Sequence, residues 1–335
     1  QTHRENMAYR STIFLCLLIL LISLEARGQQ HAFGDTIALK LEYHSGFGPF
    51  LVGGAAFSGE ESQKESSFNN TYLQLKGVPA SWTDVKKKML VIDYQQFLYQ
   101  NIKNGNISKE QLERLMAAGW KIDSSNVLPG FIKCFVYTVT GKDKENQTVA
   151  IVDQNNNLDF SDDPVLYPPD MSLEVAELEK SIVHAKYERN QLGRKHTDTV
   201  PVLLMAGKHM VYYSIPQHAT AVLRLSDKSY QIVVGAEGPF TRTYKNSKIA
   251  LWDGKERGYH PDSTVKKGEV LLFDEVAYEY VEVNMVEDKL LLKKRKDYSD
   301  IVSTSPGYLA LNFQGKEFTS SKTISLDAYN GKYVF

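Results

Sequence analysis

The stretch VPVLLMAGKHMVYYSIPQHATAVLRLSDKSYQIVVG, from Val200 to Gly235, decides the fold class. It contains four short apolar runs separated by turn signals such as Ala-Gly-Lys, Ile-Pro-Gln and Ser-Asp-Lys. Runs of β-branched and aromatic residues between short turns are typical of antiparallel strands. The sequence therefore predicts consecutive hairpins that build an antiparallel sandwich or barrel.

Further strand-like runs lie on both sides of this stretch. IKCFVYTVTG and NQTVAIVD precede it, and EVLLFD, YEYVEVNMVED and KLLLKKR follow it. Two earlier segments predict a helical hairpin: residues 84–105 with Thr83 as N-cap, and residues 108–120 with a capping box of Ser108 and Gln111. The strand-like centre MLVID of the first segment leaves its division between strand and helix open. The predicted fold class is mainly β with some α (α+β), built from β-rich antiparallel subdomains and a helical hairpin.

The stretch SLEVAELEKSIVHAKYE, residues 172–188, has helical potential and separates two groups of strands. It follows the pair Pro168–Pro169, so we place a boundary near residue 170. The predicted division is a leader and signal peptide, a β-rich subdomain with the helical hairpin, a second β-rich subdomain and the start of another domain, at residues 1–28, 29–170, 171–305 and 306–335.

Composition excludes several classes of protein. The chain has 335 residues, 42% of them hydrophobic, and a formal net charge of -1. These values are those of a globular protein with about two domains and exclude a disordered or fibrous chain. A near-neutral chain without a basic face gives no support for nucleic acid as a partner.

The N-terminal region has the pattern of an export signal. Arg10 precedes the apolar core IFLCLLILLI, Ile13–Ile22, and the small residues Ala26 and Gly28 stand before Gln29. This order of charge, apolar core and small residues is typical of a secretory signal peptide. The alternative, a membrane anchor, needs about 20 apolar residues. We therefore expect a periplasmic or extracellular protein without a stable membrane span after cleavage.

Cleavage at that point leaves Cys134 as the one cysteine of the exported chain. A single thiol excludes an internal disulfide. Cys134 lies in the alternating run KCFVYTVTG, which favours a small buried residue of the core. The alternative is a redox thiol, but no cysteine or histidine stands nearby in sequence to lower its pKa.

The stretch DQNNNLDFSDDP, beginning at Asp153, is the candidate metal site. Its oxygen donors alternate along the chain, and hard oxygen donors with net negative charge suit Ca²⁺. Leu158 and Pro164 depart from an EF-hand loop, which has Gly and Glu at those positions. The alternative is a turn whose side chains bond to their own backbone. The predicted calcium ligands are Asp153, Asn155, Asn157, Asp159 and Asp163.

Other chemistry finds little support in the sequence. No histidines stand at HxH or HxxxH spacing, which argues against a zinc or copper site. GFGPFLVGG matches neither GxGxxG nor a Walker motif. A metal-dependent hydrolase would rest on the Asp-rich loop alone. The sequence therefore predicts no catalytic residue and no organic cofactor in this chain.

The stretch PGYLALNFQGKEFTSSKTISLDAYNGKYVF, residues 306–335, resembles the start of a thioredoxin-like domain. The similarity is to the secreted TlpA-like (redoxin) thiol–disulfide oxidoreductases. Thr323–Leu326 match the family's ISL element, and Ala310–Leu311 stand where Ala-Pro is usual. A second element of the form D-Y-x-GKY is matched by Asp327, Tyr329, Gly331, Lys332 and Tyr333.

The resemblance implies a function. Earlier segments, including residues 82–115, are similar to the N-terminal extensions of such enzymes in bacteria of the Bacteroidetes type. The resemblance implies that the chain is truncated before the Cys-x-x-Cys of a periplasmic oxidoreductase. It also implies that KYVF begins a buried strand of the redox domain. Protein thiols and disulfides would be the substrates of the missing domain. The alternative is a non-catalytic secreted β-sandwich that binds a protein or glycan and is stabilised by calcium.

Overall fold

A computed structural model describes residues 31–33, 35–50, 52–56, 68–118, 124–238, 242–244, 246–252, 264–274, 276–303 and 308–329. Within these ranges the protein is mostly strand, with antiparallel sheets and three α-helices. The prediction of a mainly β protein with some α is therefore confirmed. The predicted signal peptide and the terminal run KYVF lie outside the described residues.

The strands named here are listed in chain order: β1 His31–Phe33, β2 Thr36–Lys40, β3 Glu42–Ser45, β4 Ala55–Ala56, β5 Thr83–Val91, β6 Phe135–Lys142, β7 Thr148–Val152, β8 Val183–Gln191, β9 Arg194–Ala206, β10 Val211–Ser214, β11 Gln217–Leu225, β12 Lys228–Gly235, β13 Ile249–Leu251, β14 Val270–Phe273, β15 Val276–Asn284, β16 Lys289–Arg295, β17 Gln314–Lys316 and β18 Thr323–Ser325. The helices are α1 Tyr94–Lys103, α2 Lys109–Ala117 and α3 Val175–Glu179.

Val200–Gly235 forms consecutive antiparallel strands, as its pattern predicts. β9 pairs with β10, and β11 pairs with β12. The hairpin between β8 and β9 turns at Leu192 and Gly193, which have φ of 52° and 77°. Two successive positive φ angles match the right-handed twist of the flanking strands. Local turn chemistry therefore sets the register of these hairpins.

One half of the molecule is a sandwich of two sheets, which combines the early strands β1–β3 with the later strands β11–β16. One has the strand order β1-β2-β16-β15-β14 and the other β13-β12-β11-β3. The buried Leu41 lies between β2 and β3, where the chain passes from one sheet to the other. A shared core of Leu, Ile, Val and aromatic side chains fills the space between the sheets, including Leu39, Leu223, Ile232, Tyr280 and Leu292.

The other half of the molecule, built from β4–β10 and the helices, has three layers. The sheet β5-β6-β7 lies between the helices and a second sheet of order β4-β10-β9-β8. Phe97 and Leu98 of α1 pack on one face, against Phe135 and Tyr137. Alternate residues of β6 face the other way, so both faces of this sheet are buried.

The first predicted helix is wrong over half of its length. Residues Thr83–Val91 form strand β5, and the helix begins at Tyr94. Its N-cap is Asp93, whose side chain accepts a hydrogen bond from the Gln96 amide. The run MLVI lies centrally in the core beside β6, so tertiary pairing overrides the helical potential of the flanking lysines.

The second helix agrees with the sequence. α2 carries the predicted capping box, in which Ser108 and Gln111 bond to each other's backbone amides. Of residues 172–188, only Val175–Glu179 are helical, and β8 begins at Val183. Ala150 and Ala185, on either side of residue 170, share one hydrophobic cluster. The domain limits remain a prediction.

Tyr308 bonds to Val270 on β14 and Leu309 bonds to residues 301 and 303, and the chain beyond them forms a small element of its own. β17 and β18 pair with each other, and a 3₁₀ turn follows at Leu326–Tyr329. Phe318 is fully exposed, and Leu311 and Phe313 are more than half exposed. The described part of this segment therefore contributes little to the core of the sandwich.

Candidate functional site

The Asp-rich loop follows directly from β7 and returns to the body of the protein. Phe160 is buried in the core beneath α1. Lys76 and Asp159 form an isolated parallel β-bridge. Gly77 lies so close to the loop that an added Cβ would stand 2.3 Å from the Ser161 amide nitrogen. Core packing and this close approach fix both ends of the loop.

Asp153 is the buried centre of the loop. Its side chain is fully buried, and its two oxygens accept hydrogen bonds from the amides of Asn157 at 3.0 Å and Leu158 at 2.9 Å. Burial raises the pKa of Asp153, and these amide bonds act in the opposite direction. The carboxylate thus organises the backbone of the loop.

The next oxygen donors make short local bonds. Asn155 Oδ1 accepts from the Asn157 amide at 3.0 Å, and Asn157 Oδ1 accepts from the Asp159 amide at 2.7 Å. Asp159 Oδ1 accepts from the Ser161 amide at 3.0 Å. Each side chain therefore closes an Asx turn two residues ahead, which is the alternative that the sequence left open.

Asp163 differs from the other predicted ligands. Its Oδ1 accepts from the Gln154 amide at 3.1 Å, but its Oδ2 is buried and has no hydrogen-bond partner. Burial raises the pKa of Asp163 to about 6, and the carboxylates of Asp153 and Asp162 add to the effect. A cation or a proton bound at this oxygen would therefore lower the free energy of the folded protein.

The absence of Gly at position 158 is accommodated by backbone strain. Leu158 has φ of 73° and packs against the core beneath α1. Asn156 has φ of 57°, and its side chain donates to the carbonyls of Phe135 and Lys186. The left-handed conformation of these two residues supplies the sharp turn that a glycine gives in an EF-hand loop.

The loop brings together all five predicted ligands, but most of their oxygens already accept from backbone amides. Across the described ranges, no group of three or more His, Cys, Asp or Glu side chains is arranged to hold a metal ion. Calcium coordination, which also uses amide oxygens, remains a prediction. Chemically, the loop offers negative charge and two buried oxygens without a hydrogen-bond partner, Asn156 Oδ1 and Asp163 Oδ2.

Cys134 is fully buried in the core beside α1, as predicted. Burial raises the pKa of its thiol well above the ordinary value, with a further contribution from Asp93. Gln100 Nε2 lies 3.7 Å from the sulfur. A thiol that is protonated and shielded from solvent is a poor nucleophile, so the structural interpretation of Cys134 agrees with its surroundings.

Sequence reasoning missed a network of buried charges between the two halves. Arg189 on β8 donates to both oxygens of Asp288, at 2.8 and 3.2 Å, and to Asp198 at 3.1 Å. Tyr43 donates to Asp288 at 2.9 Å. Asp288 lies in the turn between β15 and β16, so this network joins the sandwich to the three-layer half of the molecule.

Arg242 is the second cation of this network and is almost completely buried. It donates to Tyr187 and, at 2.8 Å, to Gln217, and it lies 3.5 Å from Asp198. Its guanidinium also stacks 4.4 Å from the centre of the Tyr43 ring. Two arginines face two aspartates, which makes the network balanced in charge and structural in character.

No signal in the local sequence could have revealed this network. Arg189 and Asp288 are separated by 99 positions, and neither stands in a motif. Arg189 follows the alternation of an ordinary half-buried strand. Buried charge pairs of this kind become visible only when the sheets are assembled.

Comparison with protein-family models, curated proteins and solved structures finds no match. In the portion of the chain that the structure covers, no helix is both long and apolar enough to cross a membrane.

Proposed function

We propose that this chain belongs to an exported, periplasmic thiol–disulfide oxidoreductase of the thioredoxin-like type. In this proposal residues 29–305 form a β-rich accessory region, and residues 306–335 begin the redox module. The chain has two cysteines, Cys16 and Cys134, and no Cys-x-x-Cys. The residues in hand would therefore position a substrate or partner and would not exchange disulfides themselves.

The observation that carries the proposal is the form of residues 308–329. The sequence that resembles the start of a thioredoxin-like domain folds as a separate hairpin followed by a 3₁₀ turn at Leu326–Tyr329. Four large apolar side chains of this segment are exposed: Leu309, Leu311 and Phe313 before the hairpin and Phe318 within it. Such a concentration of exposed apolar residues is expected where a segment packs against another module.

The chemistry of the proposed module is disulfide exchange. A low-pKa cysteine thiolate attacks a substrate disulfide, forms a mixed disulfide and releases one substrate thiolate. The second cysteine of the pair then attacks this mixed disulfide, which releases the second substrate thiolate. The module becomes oxidised as its substrate becomes reduced, so the electrons balance.

The first test is to read the gene beyond Phe335. A Trp-Cys-x-x-Cys within about 20 residues supports the proposal. The protein that includes this pair should reduce insulin disulfides with dithiothreitol as the electron source, and a variant with both cysteines changed to serine should not. An in-frame stop codon in place of the Cys pair would refute the redox proposal.

Export has a separate test. Fractionation of cells that express the chain with its natural leader should recover it from the periplasm or medium, with Gln29 as the first residue. A cytoplasmic protein that retains residues 1–28 would refute this part of the proposal and would leave the redox proposal to its own test.

A second candidate function is a non-catalytic secreted binding module that is stabilised by calcium. The buried Oδ2 of Asp163, which has no hydrogen-bond partner, favours it. Calcium at the Asp153–Asp163 loop would supply the missing positive charge and rigidify the turn. Stabilisation through binding follows RT ln(1 + [L]/Kd), so the unfolding temperature should rise with calcium concentration.

Calcium titration followed by thermal unfolding tests this candidate. Millimolar calcium should raise the unfolding temperature of the wild type and should leave the variants Asp153→Ala and Asp163→Asn unchanged. Magnesium at the same concentration is the control for ionic strength. No shift in the wild type, or the same shift in the variants, would exclude this loop as a calcium site.

A further inference from the structure

Two histidines form a stacked pair across neighbouring strands. His44 on β3 lies directly opposite His218 on β11, and their ring centroids are 5.3 Å apart at an interplanar angle of 26°. Tyr43 and Ala219, the next residues along these strands, pack against the sandwich core. Side chains alternate along strands, so the histidines lie on the outer face of this sheet.

His218 is enclosed although it lies on the outer face. It is only 6% exposed, and its Nδ1 lies 3.0 Å from the Gly46 carbonyl oxygen. The ring of Trp252 stands edge-on to it at 6.0 Å. Gly48 has φ of 60°, and an added Cβ there would lie 2.8 Å from the imidazole ring. The turn at residues 46–50 is therefore folded tightly over the histidine.

This turn attaches the sandwich to the three-layer half of the molecule. Phe47 inserts into a cluster with Leu178 of α3 and with Leu203 and Met205 on β9. Its amide donates to Glu179 Oε1 at 2.9 Å. A change at His218 is transmitted to this junction because His218 bonds to Gly46, the residue before Phe47.

The charges that face His218 come from two elements. His44 on β3 disfavours its protonation, and Glu179 at the end of α3 favours it. Burial is the largest effect and lowers the pKa of His218, while the bond to the Gly46 carbonyl acts against it. On the outer face, His44 Nε2 lies 2.7 Å from Thr220 Oγ1, whose hydroxyl has no charge.

We propose that the His44–His218 pair is an acid-sensitive latch that holds the turn at residues 46–50 on the junction between the two halves. At neutral pH the two rings stack and the latch is closed. A proton added to the enclosed ring of His218 places a buried positive charge directly opposite His44, which disfavours it, so the strand pairing is destabilised. The turn and the strand pairing β3–β11 then loosen together.

The direction of the pH dependence follows from the pKa of His218. Because this pKa is lowered in the folded protein, the unfolded chain binds more protons at mildly acidic pH. The contribution to stability is complete above the pKa of an unfolded histidine, about 6.5, and is lost as the pH falls below it. The latch is therefore closed near neutrality and opens on mild acidification.

Thermal unfolding of the full chain at about pH 7.5 and about pH 5.5, on either side of the ordinary histidine pKa, is the first experiment. We expect the wild type to lose about 2–4 °C more than the His218→Gln variant on acidification, which corresponds to about 1 kcal/mol in a chain of this order of size. His209→Gln, at an exposed histidine on the loop between β9 and β10, is the matched control and should respond like the wild type.

Hydrogen exchange on the wild type provides a measurement that does not depend on a variant that folds. At about pH 5.5, below the ordinary histidine pKa, the amides of Gly46, Phe47 and residues 217–220 should lose protection once the intrinsic exchange rate is corrected. The strands β15 and β16 serve as the internal reference and should keep theirs. Equal protection at both pH values, or equal acid sensitivity of the wild type and a folded His218→Gln variant, would overturn the proposal.

Discussion

The Asp153–Asp163 loop and the Arg189–Arg242 network satisfy polar groups in opposite ways. Bonds within the loop span at most 9 positions in the chain, whereas Arg189 and Asp288 are separated by 99 and Arg242 and Tyr187 by 55. The loop uses carboxylates and amides against its own backbone. The network buries whole charges between sheets. Breaking one local bond of the loop should therefore cost little free energy of unfolding. Removing one member of the network leaves its partner charge less compensated and should cost more.

The largest expected effect is therefore in the network. Arg242→Ala leaves Asp198 with one cation fewer, removes the partner of Gln217 and opens a cavity beside Tyr43 and Tyr187. We expect a loss of about 3–5 kcal/mol in the free energy of unfolding, as for other broken buried charge pairs. Urea unfolding monitored by far-UV circular dichroism measures this loss.

Arg224→Ala is the matched control because Arg224 lies exposed on β11. Its loss should stay within about 0.5 kcal/mol, the usual range for a surface substitution. If both variants lost the same free energy, the network would be no more important than surface charge, and the contrast with the loop would disappear.

The next effect separates the centre of the loop from its rim. Asp153→Ala removes a buried carboxylate, leaves the Leu158 amide without its acceptor and leaves the Asn157 amide with Asn155 alone, so we expect a loss of about 1–3 kcal/mol. Asn155→Ala removes one acceptor on an exposed residue and should cost less than about 1 kcal/mol. Urea unfolding in the presence of a chelator compares the two variants. A larger loss for Asn155→Ala would contradict the assignment of Asp153 as the organising residue.

A smaller effect concerns pH. The pKa of Asp163 is raised to about 6, chiefly by burial, so its protonated form is favoured in the folded protein. Its contribution to stability is present at low pH and is lost as the pH rises through about 6. Asp163→Asn should remove this dependence and stabilise the protein at about pH 7.5 by less than about 1 kcal/mol, since the side chain is partly exposed.

Unfolding in urea at about pH 5 and about pH 7.5, which lie on either side of the raised pKa, checks this sign. Asp162→Asn is the control, because Asp162 is exposed in the same loop and accepts from two asparagine side chains. An Asp163→Asn variant that is less stable than the wild type at neutral pH would mean that its carboxylate is needed in the charged form.

The same contrast explains what the sequence could predict. The alternation in Val200–Gly235, the capping box at Ser108 and the Asx turns from Asp153 are local patterns, and the structure contains each of them. The helix predicted after Thr83 fails because the central run MLVI pairs with β6, a contact across 44 or more positions of the chain. Strand pairing over that distance has no local signature.

The sequence pattern indicated part of the chemistry of the loop. The Asx turns at Asn155, Asn157 and Asp159 are the alternative that the pattern left open, and calcium binding stays a prediction. Spacing could not show that Asp163 Oδ2 would be buried without a partner, because burial depends on how the assembled chain packs. The charges of the network were invisible for the same reason.

The hairpin of residues 314–325 provides a third case, because it belongs neither to the Asp153–Asp163 loop nor to the Arg189–Arg242 network. Phe318 at its tip is fully exposed, so Phe318→Ser should change the free energy of unfolding by less than about 0.5 kcal/mol. The same variant should reduce self-association at high concentration, measured by analytical ultracentrifugation, because it breaks an exposed apolar patch. Lys322→Ser, an exposed substitution on the same hairpin that leaves the patch intact, is the control. A loss of stability in Phe318→Ser would mean that this hairpin packs on the body of the protein in solution and is not an independent element.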